Sequence, residues 1–279
     1  METEIIKPIN PKLKTTIQYF IIFKSENNKE TTYTTFPNTN LCLSLYNKNK
    51  IVVEEKKGSK HLLTMESEQR YKSYLSGFHD SNLHVTINTP IDEVCIIFHP
   101  GAVRLLSNIP YGDLIGSDEA FQMIFPKYDH LFLEQLFEED DSHKRIAMLE
   151  HIILKSFTKE YLTDRIREAL HTISNTHPIK VNNLAKELSI NESTLYRLFI
   201  NEIGQNPKSF LRTVRFRNAL NEMIKYEKVS LTGVAYQNNF TDQSHFIHDF
   251  KGITGQTPNL LKSRMTVEQE ELAWIYTQH

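Results

Sequence analysis

The sequence predicts an α+β protein, with a β-rich N-terminal domain followed by an all-helical C-terminal domain. Short runs rich in Thr, Ile, Val, Tyr and Phe recur through the first hundred residues, which is typical of strands. From about residue 164 onward, apolar residues recur at three- and four-residue steps, which is typical of helices. The length of 279 residues allows two domains. We predict a first domain over residues 1–162, a second over 163–266 and a tail helix over 267–279.

The N-terminal domain is expected to be an antiparallel sandwich or barrel that ends in helices. Helical spacing begins after Gly101, and the clearest helix there is His143–Phe157. Its apolar stripe could form a dimer contact, or could equally pack inside the monomer. Six segments have the composition of strands: Thr15–Phe23, Leu41–Tyr46, Ile51–Glu54, Tyr74–Phe78, Leu83–Asn88 and Glu93–Phe98.

Composition and charge narrow the class of protein. The longest apolar runs, such as Phe20–Phe23, are far shorter than the roughly 20 residues of a membrane-spanning helix, and no signal peptide is evident. We therefore expect a cytoplasmic protein with no membrane partner. In that compartment Cys42 and Cys95 should be buried free thiols, with a disulfide or redox pair as the alternative. The net charge is −2, yet residues 172–266 hold 12 Lys and Arg against 7 Asp and Glu, which hints at a local site for a polyanion.

A helix-turn-helix pattern occurs twice in the C-terminal third. Phe199–Pro207 and Phe250–Pro258 have identical spacing: an aromatic residue, four residues, Gly, two residues and Pro. Upstream, Ala185 and Ala235 stand at matching places to within one residue, and each is small enough for a second helix to cross closely. One supersecondary unit therefore appears twice.

The second helix of each unit is predicted to leave one polar face free. In the first unit this helix is Glu192–Ile203, with Asn191 as its N-cap, and in the second it is Gln243–Ile253, with Thr241 or Asp242 as its N-cap. A helix held in this way can enter a major groove of DNA and present side chains to base edges. By residue type, Arg197 could pair with guanine, Gln243 with adenine, and Ile247 could meet a thymine methyl group.

The residues of both units resemble the arabinose-regulator (AraC/XylS) family of bacterial transcription regulators. The resemblance covers roughly residues 164–264 and rests on Leu184-Ala185 through Pro207, Arg215 with Ala219, and Asn239-Phe240-x-Asp242-Gln243-Ser244-His245-Phe246 through Pro258. It implies a seven-helix DNA-binding domain whose two recognition helices enter successive major grooves of double-stranded DNA. It also implies RNA polymerase as a partner, activation as the usual role, and an N-terminal domain that senses a small-molecule effector, forms a homodimer, or both.

The resemblance also implies which residues contact DNA. His248 stands where the family often has Arg or Lys, and Asn239 where it usually has Gly. Because histidine titrates near neutral pH, the second unit is expected to bind more weakly and with pH sensitivity, so that the first unit carries more of the base readout. In the linker helix Pro207–Ile224, Arg212 and Arg217 are expected to be solvated charges, and Arg215 to be structural or to face a phosphate rather than a base. The candidate DNA-binding residues are Ser193, Thr194, Tyr196, Arg197, Arg215, Gln243, Ser244, Ile247, His248 and Lys251.

The N-terminal domain leaves functions other than DNA regulation open. A cupin-like barrel can bind metal, but His79, His84 and His99 form no His-x-His pair. We therefore expect histidines that lie at the surface or are hydrogen-bonded in the core, and no metal, no cofactor and no catalytic residues. The alternative is a small-molecule-binding module or a metal-dependent barrel enzyme fused to a DNA anchor. Six aromatic residues are candidates to line a pocket, or belong to an ordinary core: Tyr19, Phe23, Phe36, Tyr46, Tyr74 and Phe78.

Overall fold

Two five-stranded sheets form the N-terminal domain, in the computed structural model of the protein. The structure describes residues 2–26, 30–56, 60–176, 178–225, 230–264 and 276–277. One sheet has the order β1-β2-β9-β4-β7 and the other β10-β3-β8-β6-β5, and β6 and β8 are the pair that runs parallel. The strands are β1 (Glu2–Ile6), β2 (Ile17–Ser25), β3 (Thr31–Thr35), β4 (Leu41–Tyr46), β5 (Asn49–Lys56), β6 (Lys60–Ser67), β7 (Lys72–Gly77), β8 (Leu83–Ile87), β9 (Ile91–Phe98) and β10 (Tyr276–Thr277).

The predicted α+β class with a β-sandwich is confirmed, and the six predicted strands correspond to β2, β4, β5, β7, β8 and β9. The sequence did not indicate β1, β3 and β6. The predicted tail helix falls mostly outside the described residues. Tyr276–Thr277, which lie within that tail, form a strand paired with β3, so a helix is wrong for these two residues.

The central strands of the first sheet are buried on both faces, which explains their unbroken apolar sequence. In β2, Phe20 and Ile22 pack against the helices that follow the strands, whereas Tyr19, Ile21 and Phe23 face the interior between the sheets. The alternation of side chains along a strand thus divides one apolar run between two cores. The helices on the outer face are α1 (Tyr111–Leu114), α2 (Ala120–Ile124), α3 (His130–Glu138) and α4 (Ser142–Lys155).

Helix α4, the candidate dimer element, buries its apolar stripe within the protein. Ile146, Leu149 and Ile153 all belong to the main core of the N-terminal domain. The same helix buries Arg145, whose Nη1 donates to Asp92 Oδ1 at 2.6 Å and whose Nη2 donates to Asp92 Oδ2 at 3.0 Å. Of the two alternatives for this stripe, the structure therefore favours packing inside the monomer.

The C-terminal domain consists of helices arranged as two units on either end of one long helix. Helix α8 contributes Phe210 and Leu211 to the core of the first unit, and Phe216 and Leu220 to the core of the second. Ser189 and Asn239 adopt positive φ angles of 52° and 58° at the turns inside the two units. The helices are α5 (Asp164–Asn175), α6 (Val181–Glu187), α7 (Glu192–Glu202), α8 (Pro207–Lys225), α9 (Leu231–Gln237), α10 (Gln243–Thr254) and α11 (Pro258–Arg264).

The first helix-turn-helix unit packs against the N-terminal domain through the end of α7. Arg104 Nε donates to Asn201 O at 3.0 Å, and Tyr111 Oη donates to Glu202 O at 3.2 Å. These donors satisfy carbonyl groups that the end of a helix leaves without an intrahelical partner. Gly204 lies directly beneath the Tyr111 ring.

The second unit has its own contact with the N-terminal domain. Asn82 N donates to Ile253 O at 2.8 Å, and Arg217 donates to Pro37 O at 2.6 Å and Phe36 O at 2.7 Å. The expectation that Arg217 is a solvated charge is wrong, because its side chain is buried against these carbonyl groups. Burial lowers the pKa of the Arg217 guanidinium to about 9.

Candidate functional site

Helix α7 presents a polar face outward because its apolar face is fixed in the core. Asn191 Oδ1 accepts a hydrogen bond from Thr194 N at 2.8 Å, which confirms the predicted N-cap. Leu195 and Phe199 are buried. The predicted contact residues of this helix lie on the other side: Ser193, Tyr196 and Arg197 are exposed, and Thr194 is half-buried.

The guanidinium of Arg197 is available to bind a ligand. Within the described residues its guanidinium makes no ion pair or hydrogen bond. It borders an open cleft together with Ser193, Tyr196 and Lys208. An arginine with its five donors free can bind a guanine edge or a phosphate bidentately.

Helix α10 repeats this arrangement in the second unit. Asp242 Oδ1 accepts from His245 N at 2.8 Å, so that Asp242, of the two predicted candidates, is the N-cap. Ile247 is half-buried and packs against the core of its unit, which leaves less of it to meet a base than the sequence suggested. The remaining predicted residues of this helix are exposed: Gln243, Ser244, His248 and Lys251.

Arg215 is engaged within the fold. Its Nη2 donates to Asp249 Oδ2 at 3.0 Å, and its guanidinium carbon lies 4.4 Å from the centre of the Phe240 ring. Arg212 Nε donates to the other carboxylate oxygen of Asp249 at 2.9 Å. These bonds tie α8 to α10, and the predicted DNA contact of Arg215 stays a prediction.

The charge balance around Asp249 decides its protonation. Burial by itself raises the pKa of Asp249, but hydrogen bonding and attraction from Arg212, and then from Arg215, outweigh burial and hold this pKa below its usual value. The carboxylate therefore stays ionised at neutral pH, and it neutralises part of the positive charge on α8.

A basic cleft lies between the two units, and sequence reasoning missed two of its residues. Lys180 and Lys208 line it together with Arg212 and Arg215, around a volume of about 320 Å³. Lys180 directly precedes α6, and Lys208 is in the first turn of α8. The sequence did hold a signal for these two residues. Each lysine lies at the start of a predicted helix, and the N-terminus of a helix itself attracts anions such as phosphate.

A second candidate site is a cavity of about 150 Å³ inside the N-terminal domain. Its wall includes residues from both sheets and Arg217 from α8. Tyr74, which was also predicted to line a pocket, is half-buried and packs against the apolar cluster between the two sheets instead. The other five predicted aromatic residues do line this cavity: Tyr19, Phe23, Phe36, Tyr46 and Phe78.

The cavity wall carries polar groups among these apolar side chains. Both cysteines are free thiols; Cys95 is buried and Cys42 half-buried. Cys95 Sγ donates to Glu93 Oε1 at 3.1 Å and lies 3.4 Å from Ser44 Oγ. Burial raises the pKa of Glu93, and hydrogen bonds from Cys95, Ser44 and Tyr46 offset only part of that effect.

The histidines of the N-terminal domain show no metal site within the part of the chain that the structure describes. No three His, Cys, Asp or Glu side chains converge there as ligands for a metal ion. His84 has both ring nitrogens in hydrogen-bonding contact: Nδ1 lies 2.9 Å from Thr34 Oγ1, and Nε2 lies 3.1 Å from Asn82 Nδ2.

Among the described residues, no helix has the length and apolar character needed to span a membrane.

Comparisons with known proteins agree with this reading of the C-terminal domain. A family model described as a helix-turn-helix domain matches residues 184–264. The Msm operon regulatory protein of Streptococcus mutans is 24% identical over 110 residues, which are 39% of this chain and 38% of that protein. The transcriptional activator RhaS of Yersinia pestis is 29% identical over 103 residues, which are 36% of this chain and 37% of that protein. The match thus spans less than two fifths of either relative.

Some solved structures match the C-terminal region alone, and others match most of the chain. The C-terminal domain of AraT from Geobacillus stearothermophilus covers 39% of this chain and 91% of that domain, with 20% identity and a TM-score of 0.36. The match to ToxT from Vibrio cholerae covers 88% of this chain and 97% of the ToxT chain, with 13% identity and a TM-score of 0.42. Together with the family model and the two relatives, the repeated units identify the C-terminal region of this chain as a helix-turn-helix domain of the arabinose-regulator (AraC/XylS) type.

Proposed function

We propose that this protein is a sequence-specific DNA-binding transcription regulator that reads two successive major grooves with α7 and α10. The observation that carries the proposal is the uncommitted, exposed Arg197 on a capped helix whose apolar face is buried. Two such helices fixed on one long helix suit two grooves that lie one turn of DNA apart, about 34 Å.

Three features support the proposal. The exposed faces of α7 and α10 offer Arg197, Gln243, Ser244 and His248 to base edges. The basic cleft between the units adds positive charge of the kind that binds phosphates. An activating role follows the activator named among the relatives. RNA polymerase as a partner is part of the proposal because the family resemblance implies it.

The N-terminal domain is proposed to sense a small-molecule effector in its cavity. The lining is mostly aromatic and aliphatic with a few polar groups, as in many ligand sites. Arg217 belongs both to the cavity wall and to α8, so an occupant would touch the helix that joins the two units. A homodimer and a cytoplasmic location complete the proposal, in which the protein has no enzymatic activity.

The test of DNA binding starts with selection of bound fragments from a random or genomic pool by the full chain, with and without cell extract to supply an effector. Affinities for a selected site and for unrelated DNA are then measured for Arg197→Ala. We expect specific binding to weaken by about 10- to 100-fold, since a bidentate base contact is lost, and nonspecific binding to change little.

A matched control is Arg165→Ala, which removes an exposed arginine of the same domain outside the recognition helices. It should leave specific binding nearly unchanged. Equal loss of specific and nonspecific binding in Arg197→Ala would reduce Arg197 to a phosphate contact. Failure of the full chain to select any DNA under either condition would refute the regulator itself.

A further inference from the structure

One predicted reading residue differs from the other eight on the recognition helices, because its side chain is already held before DNA arrives. Gln243 Oε1 accepts a hydrogen bond from Thr232 Oγ1 at 2.6 Å. Within the described residues, no side-chain hydrogen bond or ion pair is made by the others: Ser193, Thr194, Tyr196, Arg197, Ser244, Ile247, His248 and Lys251.

The bond joins the first turns of the two helices in the second unit. Thr232 is the second residue of α9, and Gln243 is the first residue of α10, directly after its cap Asp242. Both side chains are exposed, and their hydrogen bond places Thr232 beside the Gln243 amide that the proposed function turns toward DNA. Thr232 is outside the recognition helix, and for that reason sequence spacing alone did not draw attention to it.

The first unit lacks this bond. By their distances from Ala185 and from Asn191, the matching positions there hold Asn182 and Glu192. These two side chains are exposed and make no hydrogen bond to each other within the described part of the chain. A threonine paired with a glutamine across the turn is therefore particular to the second unit.

We propose that Thr232 is a positioning residue, which fixes the Gln243 amide so that the second recognition helix reads an adenine. A carbonyl oxygen has two lone pairs, and Thr232 occupies one of them. The other lone pair and the adjacent N–H remain in the order that matches adenine N6 and N7. Without the hydroxyl, the amide can rotate and exchange its two ends, which would lose that order.

The inference rests on the proposed DNA-binding function, and the experiment separates the two. The full chain first selects a DNA site, and the affinity for every single-base variant of that site is then measured for four proteins: wild type, Gln243→Ala, Thr232→Val and Thr232→Ser. Valine keeps the branched shape of threonine without its hydroxyl, whereas serine keeps the hydroxyl. Thermal melting of each variant verifies that it folds.

We expect Gln243→Ala to lose discrimination at one A·T pair. Thr232→Val should lose about three- to tenfold of the discrimination at the same pair, the value of one net hydrogen bond, and keep it at the pairs that Arg197→Ala affects. Thr232→Ser should keep discrimination at every pair. A residue with a merely structural role would lower affinity for all sites alike.

Several results would overturn the inference while leaving the regulator intact. They are full discrimination by Thr232→Val, uniform loss at every base pair, no change on Gln243→Ala, or a preference of Gln243 for a pair other than A·T. If Thr232→Val did not fold, Thr232→Ala would be judged by the same criterion. If the wild-type chain selected no DNA, the proposed function would fail and this inference with it.

Discussion

Replacement of Gly204 by alanine should weaken the packing of the first unit on the N-terminal domain. Gly204 has a φ of +92°, and a Cβ atom there would lie 2.6 Å from Cγ of Tyr111. Gly255 occupies the same position in the second unit with a φ of +74°, but its Cβ would find its nearest atoms in the Asn82 side chain at 3.9 Å. The second distance is an ordinary van der Waals contact, and the first requires the ring to move.

These two glycines make a matched pair. Alanine at either position destabilises the fold by about 1–2 kcal/mol, because the backbone there is left-handed. Gly204→Ala costs about 1–3 kcal/mol more, because the interface with Tyr111 becomes overpacked. The free energy of unfolding should therefore fall by roughly 2–5 kcal/mol for Gly204→Ala and by about 1–2 kcal/mol for Gly255→Ala.

The assay is urea denaturation of the full chain, combined with a double-mutant cycle on Tyr111→Ala. With the ring removed, Gly204→Ala should cost no more than Gly255→Ala, because only the backbone cost remains. The coupling between positions 111 and 204 should then be about 1–3 kcal/mol. Equal costs for the two single variants, or a coupling near zero, would mean that Tyr111 does not pack on Gly204 in solution.

Two ionic contacts, one half-buried and one around the buried Arg145, give further predictions. Asp249→Asn should cost about 1–3 kcal/mol at pH 7, because Arg212 and Arg215 lose their shared partner. Since the folded-state pKa of Asp249 is lowered, its contribution is present above the unfolded value, about 3.9, and is lost as the pH falls through the folded value. Melting temperatures of wild type and variant should thus converge below about pH 4, and a constant difference would contradict this reasoning. Arg145→Leu should cost about 3–5 kcal/mol in denaturant unfolding, and Asp92→Asn in that background should cost little more, whereas additive losses would argue against their pairing.

The helices of the C-terminal domain were predictable because their signals are local. Caps, turns and the Gly and Pro positions all lie within a few residues of the helix ends that they define. Asn191 and Asp242 cap α7 and α10, and Asn239 takes the left-handed conformation where the sequence suggested a sharp turn. The same spacing occurring twice made each assignment support the other.

The strands were less predictable, because strand formation depends on distant partners. β3 is built of Thr and Tyr alone, and only Thr34 in it is buried, so its sequence lacks the alternation that marks a half-buried strand. Among the described strands, β1 lies at the edge of its sheet and pairs only with β2, and Ile6 is its single buried residue. Both segments are strands because β8 and β2 lie beside them, about which local composition says nothing.

The buried arginines show the same limit for the contacts between the domains. Arg217 lies on a helix whose neighbouring arginines are only half-buried, and nothing in its local sequence separates it from them. It is buried because it meets carbonyl groups of Phe36 and Pro37, about 180 positions away in the chain. Arg104 likewise reaches Asn201. A long-range partner that is a backbone carbonyl leaves no trace in the residue types.

The ranking of the two reading units changes once ordering costs are considered. The sequence favoured the first unit, because it holds a fixed charge in Arg197 where the second holds a histidine. Arg197 is free in the structure, so a base contact must first immobilise a long side chain, at a cost of up to about 2 kcal/mol. The Gln243 side chain is already partly ordered by its hydrogen bond to Thr232, so less of that cost remains on binding. The second unit thus compensates for its weaker charge by having its reading group oriented in advance, and we expect the two units to contribute to base discrimination more equally than residue types alone suggest.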